Sequence, residues 1–204
     1  MLGLINDPHE LRKLIRRRRQ LGIDHHDEVW DGVYIVSPQP NDEHQEIITD
    51  LSAALVFSIK RPGLGLVRAG INVSDREKGW TENYRCPDVA VYLNGTTARN
   101  LNTHWLGGPD FAVEVLSKGD RARKKFAFYA AVGTRELLLI DRRPWALELY
   151  RIDGGELRLV GKSTLESSNI LASAVLALSF RLVDGASRPT ILVAHSDGIQ
   201  TWSA

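Results

Sequence analysis

Residues Pro109 to Asp141 read PDFAVEVLSKGDRARKKFAFYAAVGTRELLLID, and the fold turns on how this stretch is parsed. Phe111–Val115 is a short apolar run bounded by a Pro-Asp and a Ser-Lys-Gly, the pattern of a buried strand. Residues 120–133 have helical periodicity, and Gly133 suits a helix end. Glu136–Asp141 is apolar again and reads as a second strand. Strand, helix and strand in one unit predict two parallel neighbours joined by a crossover, and so an α/β or α+β class with a mixed sheet.

In the middle of the first strand sits a carboxylate, Glu114. An unpaired buried charge is very costly, so a partner is required: a salt bridge, a hydrogen-bond network or a metal ion. The strand upstream, CPDVAVYL (86–93), carries Asp88. By alternation Glu114 shares a face with Ala112, and Asp88 with Ala90. Small neighbours leave room above the sheet beside each acid. Two acids close enough to repel call for a cation, and oxygen ligands of this kind suit Mg²⁺ or Mn²⁺.

On the following helix Lys125 falls in the apolar stripe of Phe128, Tyr129 and Val132. Lys124 falls near its edge, and Arg123 points away. Lysine is almost never buried without a partner, and the acids of the sheet are the available one. A long helix is predicted over residues 41–60, with Asp42 and Gln45 as a capping box. His44 lies on its apolar stripe with Ile47, Ile48 and Leu51, whereas Glu46 points away. Two acids, a lysine and a histidine thus converge by periodicity. A buried salt-bridge cluster, Glu114 with Lys125 and Asp88 with Arg85 or Lys125, explains the same pattern without chemistry.

Elsewhere, EVWDGVYIVSP predicts a hairpin about Asp31-Gly32, GLVRAGINVS a strand, and DREKGWTENYR a loop. Residues 145–163 predict a hairpin, and Asp197-Gly198 a final one. HELRKLIRRRRQL (9–21) predicts a helix with Leu11, Leu14, Ile15 and Leu21 on one side and Arg16–Arg19 wrapped around it. Such a helix is either a solvated surface or a phosphate-contacting or partner-docking arm.

The chain has 204 residues, 43% hydrophobic and 25% charged, in the range of ordinary globular proteins. No segment approaches the ~20 apolar residues of a membrane span, and no secretory signal is legible. The single cysteine, Cys86, excludes an internal disulfide and suits a reducing cytoplasm. A net charge of +1 argues against a strongly basic nucleic-acid binder. A Ser117–His44–Asp120 triad lacks the glycine-flanked elbow of such nucleophiles. Zinc lacks paired cysteines, and His25 and His26 read as surface loop residues.

The ordered set RCPDVAVY and PDFAVEVLSKGDRARKKFAFYAAVGTRELLLID, preceded by DGVYIVSPQPNDEHQEIITDL, resembles the bacterial Uma-type group of restriction endonuclease-like proteins. That group belongs to the PD-(D/E)XK nuclease superfamily. The resemblance covers roughly residues 27–160. It implies a restriction endonuclease-like core, a four-stranded mixed sheet flanked by helices. The chain then divides into an N-terminal basic helical arm (1–24), the nuclease domain (25–170) and a C-terminal β extension (171–204) packed on the same domain; the arm and the extension lie outside the match and are assigned no role. The resemblance also implies divalent-metal-dependent hydrolysis of DNA. Asp88 and Glu114 would hold Mg²⁺ or Mn²⁺ with the carbonyl of Val115, and Lys125 and His44 would complete the catalytic set. The superfamily pattern places the lysine two residues after the second acid; that position is Leu116 here, and Lys125 on the next helix takes its place. Arg85, Arg121 and Lys124 are the nucleic-acid contacts expected nearby. A homodimer is expected from enzymes that cut both strands. The alternative is a non-catalytic nucleic-acid-binding or protein-interaction module that keeps the fold.

Overall fold

The computed structural model describes residues 7–117 and 122–204. The chain runs α1 (Pro8–Leu21), β1 (Glu28–Trp30), β2 (Val33–Ile35), α2 (Asp42–Leu55), β3 (Gly65–Ala69), β4 (Val73–Ser74), β5 (Tyr84–Arg85), β6 (Val89–Leu93), β7 (Arg99–Asn100) and β8 (Trp105–Leu106). It continues through β9 (Phe111–Val115), α3 (Phe126–Ala131), β10 (Glu136–Arg142), β11 (Trp145–Asp153), β12 (Glu156–Ser163), β13 (Leu171–Ala172), β14 (Leu178–Val183), β15 (Thr190–His195) and β16 (Thr201–Ser203).

The central sheet has the order β12-β11-β10-β9-β6-β3. β9 and β10 are parallel, with Glu114 beside Leu139, and every other pair in this sheet is antiparallel. A parallel pair cannot be closed by a tight turn, so the chain leaves the sheet through α3 and returns. The expected core is present. The 145–163 hairpin extends it from four strands to six.

Alternation along β9 assigns its two faces. Phe111, Val113 and Val115 pack with Ile47, Leu51 and Leu55 of α2 and with Leu178, Phe180 and Leu182 of β14. Ala112 packs on the opposite face with Phe128, Tyr129 and Leu137. Each fully buried Leu or Phe removed from water contributes about 1.5–3 kcal/mol, so both faces are strongly held.

Four local readings change. The stretch GLVRAGINVS is two strands, because Gly70 takes a left-handed conformation (φ 57°) and turns the chain from β3 into β4 of a second sheet. That sheet, of order β2-β1-β5-β4-β8-β7, includes parts of the segments read as loops. The N-cap of α2 is Asn41, not Asp42: its side chain accepts from the amide of His44 at 3.2 Å. α3 is short, and Lys125 ends a 3₁₀ turn (Ala122–Lys125) that leads into it. The hairpins at Asp31-Gly32, 145–163 and Asp197-Gly198 form as expected.

A third sheet, β13-β14-β15-β16, is tied to the central one by a fully buried carboxylate, Glu136. It accepts from Arg151 Nε at 2.7 Å and from the amide of Ala174 at 2.9 Å, and Ser173 Oγ donates to its second oxygen. Removing it orphans these donors. Glu136→Ala is expected to cost about 3 kcal/mol, read as a lower urea midpoint in equilibrium unfolding.

Candidate active site

Val89 of β6 stands opposite Val113 of β9. One step further, the same register sets Asp88 against Glu114, and residues opposite each other across antiparallel strands share a face. Both acids line one cleft of about 90 Å³, together with Glu28, His44, Val115 and Lys125. The sheet thus brings together the four side chains expected from periodicity and adds Glu28.

Glu114 is 4% exposed. Lys125 Nζ donates to both of its oxygens at 3.0 Å, and Tyr129 OH donates to Oε1. Lys125 and Tyr129 are four residues apart, the spacing that puts two side chains over one spot. The ammonium also lies 2.8 Å from Glu28 Oε1. Glu28 in turn accepts from the Cys86 amide at 2.8 Å and from Trp30 Nε1 at 2.6 Å. Lys125 therefore grips two carboxylates from two sheets, with three carboxylate oxygens 2.8–3.0 Å from its Nζ.

Burial pushes the Glu114 carboxyl up, to about 8, against the attraction of Lys125; Asp88 and Glu28 add to the upward push. Burial alone pulls the Lys125 ammonium down, but Glu114 and Glu28 outweigh it and hold it above its ordinary value. The lysine stays charged while the acids compete for its charge.

Asp88 is held from two sides. Its Oδ2 accepts from the amide of Val115 at 2.7 Å. Its Oδ1 is 3.2 Å from His44 Nε2, which reaches over from the first turn of α2. His44 is 7% exposed, and its Nδ1 has no hydrogen-bond partner among the described residues. In an extended strand a residue's N–H and C=O point to the same side. The Val115 carbonyl therefore points to the same side as its amide, toward Asp88.

Other expectations need correction. Arg85 does not face outward: it is 4% exposed and sandwiched between the rings of Trp30 (4.9 Å) and Phe128 (4.2 Å). Its Nη1 donates to the Val29 carbonyl at 2.9 Å and to Asn83 Oδ1 at 3.0 Å. It is a buried cation held between two rings, not the exposed arginine that a nucleic-acid contact requires. Neither it nor Lys125 pairs with Asp88, whose partners are His44 and Val115. His25 and His26 lie in a turn, as expected, and His26 also lines the cleft. Lys124, placed by periodicity near the edge of the buried stripe, is exposed. Arg121 and Asp120 lie outside the described residues.

Glu28 is hard to single out in the sequence because its strand is only three residues long and follows a second acid, Asp27. The one legible signal is its two-residue spacing from Trp30, an acid on the same face as a large ring. Among the described residues, no three His, Cys, Asp or Glu side chains are drawn around a common point for a metal. Glu114 Oε2 and both Asp88 oxygens each meet one internal partner, which leaves a further lone pair on each for a cation.

Lys125→Met leaves Glu28 and Glu114 buried without their cation, and is expected to cost about 4 kcal/mol. Tyr129→Phe removes one donor to a charged acceptor, and is expected to cost about 2 kcal/mol. Urea unfolding of the two variants checks both the direction and the order.

The geometry can be set beside known proteins. A crystal structure titled a putative nuclease belonging to DUF820, from Anabaena variabilis, superposes with a TM-score of 0.57 at 19% identity. The match covers 72% of this chain and 80% of that one, and it establishes a restriction endonuclease-like fold. No curated protein matches the chain. Residues 14–182 match the model of the Uma2 family, described as "putative restriction endonuclease". With most of its length inside that match, the chain belongs to the Uma2 family.

Proposed function

We propose that this chain is a divalent-metal-dependent endonuclease that hydrolyses phosphodiester bonds of DNA, with Asp88 and Glu114 as the acidic pair and Lys125 as the displaced lysine of the PD-(D/E)XK pattern. One observation carries this reading: Asp88 and Glu114 flank one cleft on one sheet face, with a buried lysine on Glu114.

The donor set suits a hard cation. Asp88, Glu114 and the Val115 carbonyl offer oxygen ligands, and three carboxylates line a cleft that Lys125 alone does not neutralise. When bound, Mg²⁺ or Mn²⁺ lowers the pKa of a water and stabilises charge developing on the phosphate. The chain's own residues do the rest. His44 and the Val115 amide fix the carboxylate of Asp88. Tyr129 and Glu28 hold Glu114 and Lys125 in place. Lys125 supplies a fixed positive charge next to the scissile phosphate. On this reading residues 25–170 form the nuclease domain, with 1–24 as a basic arm and 171–204 as an extension on it. Cutting both strands calls for two such sites, hence a homodimer, and the buried single cysteine fits a reducing cytoplasm.

A second reading has an observation of its own. Lys125 Nζ is held by three oxygens of Glu114 and Glu28, the arrangement of a structural ion cluster in a non-catalytic module. The two readings part in one experiment. Supercoiled plasmid and single-stranded DNA are incubated with Mg²⁺ or Mn²⁺ and wild type, Glu114→Ala or Asp88→Asn, with folding checked by circular dichroism. The expected result is metal-dependent cutting that falls about a thousand-fold in either variant. Cutting that survives both substitutions, or its absence in the wild type alongside calorimetry showing no metal uptake, overturns the nuclease reading.

A further inference from the structure

The basic residues of this chain are not spread evenly. Six of its 26 lysines and arginines, but only two of its 25 acids, lie between Asp7 and Gly22. The rest of the chain carries 20 basic residues against 23 acidic ones, a net charge of −3. The near-neutral total therefore hides an acidic body and a strongly basic helix, α1.

That helix is built with care for an element that buries no residue. Asp7 caps its start, accepting from the amide of His9 at 2.7 Å, and Gly22 closes its end in the left-handed conformation (φ 63°). One arginine of the run, Arg18, turns inward. Its guanidinium forks onto Asp27, with Nη2 at 2.7 Å from Oδ1, and also donates to the carbonyls of Ile23 (2.6 Å) and Ser37 (3.2 Å). Asp27 is locked from the other side by Tyr34 OH and by the amide of Ser37 at 2.8 Å. Ser37, His26 and Glu28, the neighbours of this anchor, line the cleft. The last turn of the helix is thus tied to residues that line the candidate active site.

Its outward residues are free to act. Arg12, Arg16 and Arg17 are exposed, and among the described residues no carboxylate pairs with them; Lys13 is bonded to Glu10, and Arg19 lies 3.7 Å from Asp24. Arg12 and Arg16, four apart, share one face, and Arg17 adjoins them. Unpaired guanidiniums on a rigid helix suit phosphate oxygens. The rest of the chain offers a polyanion little net attraction, so a patch of this kind adds most of it.

We propose that α1 is a phosphate clamp: Arg12, Arg16 and Arg17 grip the backbone of duplex DNA beside the cleft, and Arg18–Asp27 sets the helix at the angle that this needs. The proposal takes its partner from the nuclease reading but stands on separate residues. The test is fluorescence anisotropy of a short labelled DNA duplex, with metal chelated, across a series of potassium chloride concentrations. Wild type is compared with Arg12→Gln/Arg16→Gln/Arg17→Gln, and plasmid cutting by the wild type is scored in parallel. The expected result is a loss of affinity of about tenfold or more, with the slope of log affinity against log salt falling by about 0.9 for each phosphate no longer neutralised. An unchanged affinity and slope in a wild type that cuts plasmid overturns the clamp and leaves the nuclease standing. Loss of binding to phosphatidylserine vesicles, with duplex binding intact, also overturns it and assigns the helix to a membrane surface. A wild type that neither binds nor cuts removes both readings together.

Discussion

The grip of Lys125 on Glu114 and Glu28 is the interaction on which the rest of the site rests. Glu114 belongs to the central sheet and Glu28 to the second one. Each acid alone would be an uncompensated charge in an apolar wall. One ammonium between them turns two liabilities into a joint between sheets. The joint works only because Lys125 enters from the turn before α3, where the crossover passes over the mouth of β9.

The second sheet makes sense in this light. Its strands are two or three residues long and contribute little core. They deliver side chains instead: Glu28 onto Lys125, Trp30 onto Glu28, and Arg85 between Trp30 and Phe128. The bulk of the apolar stabilisation lies on the other face of the central sheet, under α2 and β14. Packing strength and polar network thus occupy opposite sides of the same five-residue strand, β9, and alternation along that strand keeps them apart.

Much of this is legible in the sequence, for physical reasons. A carboxylate inside an apolar run demands a partner, and helical periodicity points to Lys125 and His44 as the side chains aimed at it. The parallel pair follows from the spacing of strand, helix and strand. What cannot be read arises where the local signal is short or non-local. Glu28 sits on a three-residue strand whose partners, Lys125 and the Cys86 amide, are far away in sequence. Arg85 looks like any surface arginine until two rings from distant elements close over it. Asn41 rather than Asp42 caps α2 because capping depends on one residue's backbone angle, which composition does not reveal. The kink at Gly70 splits a continuous β-like pattern because the glycine takes a positive φ there.

The pairing of Lys125 with its two acids also bears on how the molecule matures. Proteins whose acidic clusters depend on an ion for neutrality stay unfolded until that ion arrives. Here the chain carries its own counter-charge, and the carboxylate nearest it is pinned by Tyr129 as well. The cleft therefore draws part of its counter-charge from within the chain, and an ion entering it meets acids already held in place by Lys125, Tyr129 and His44.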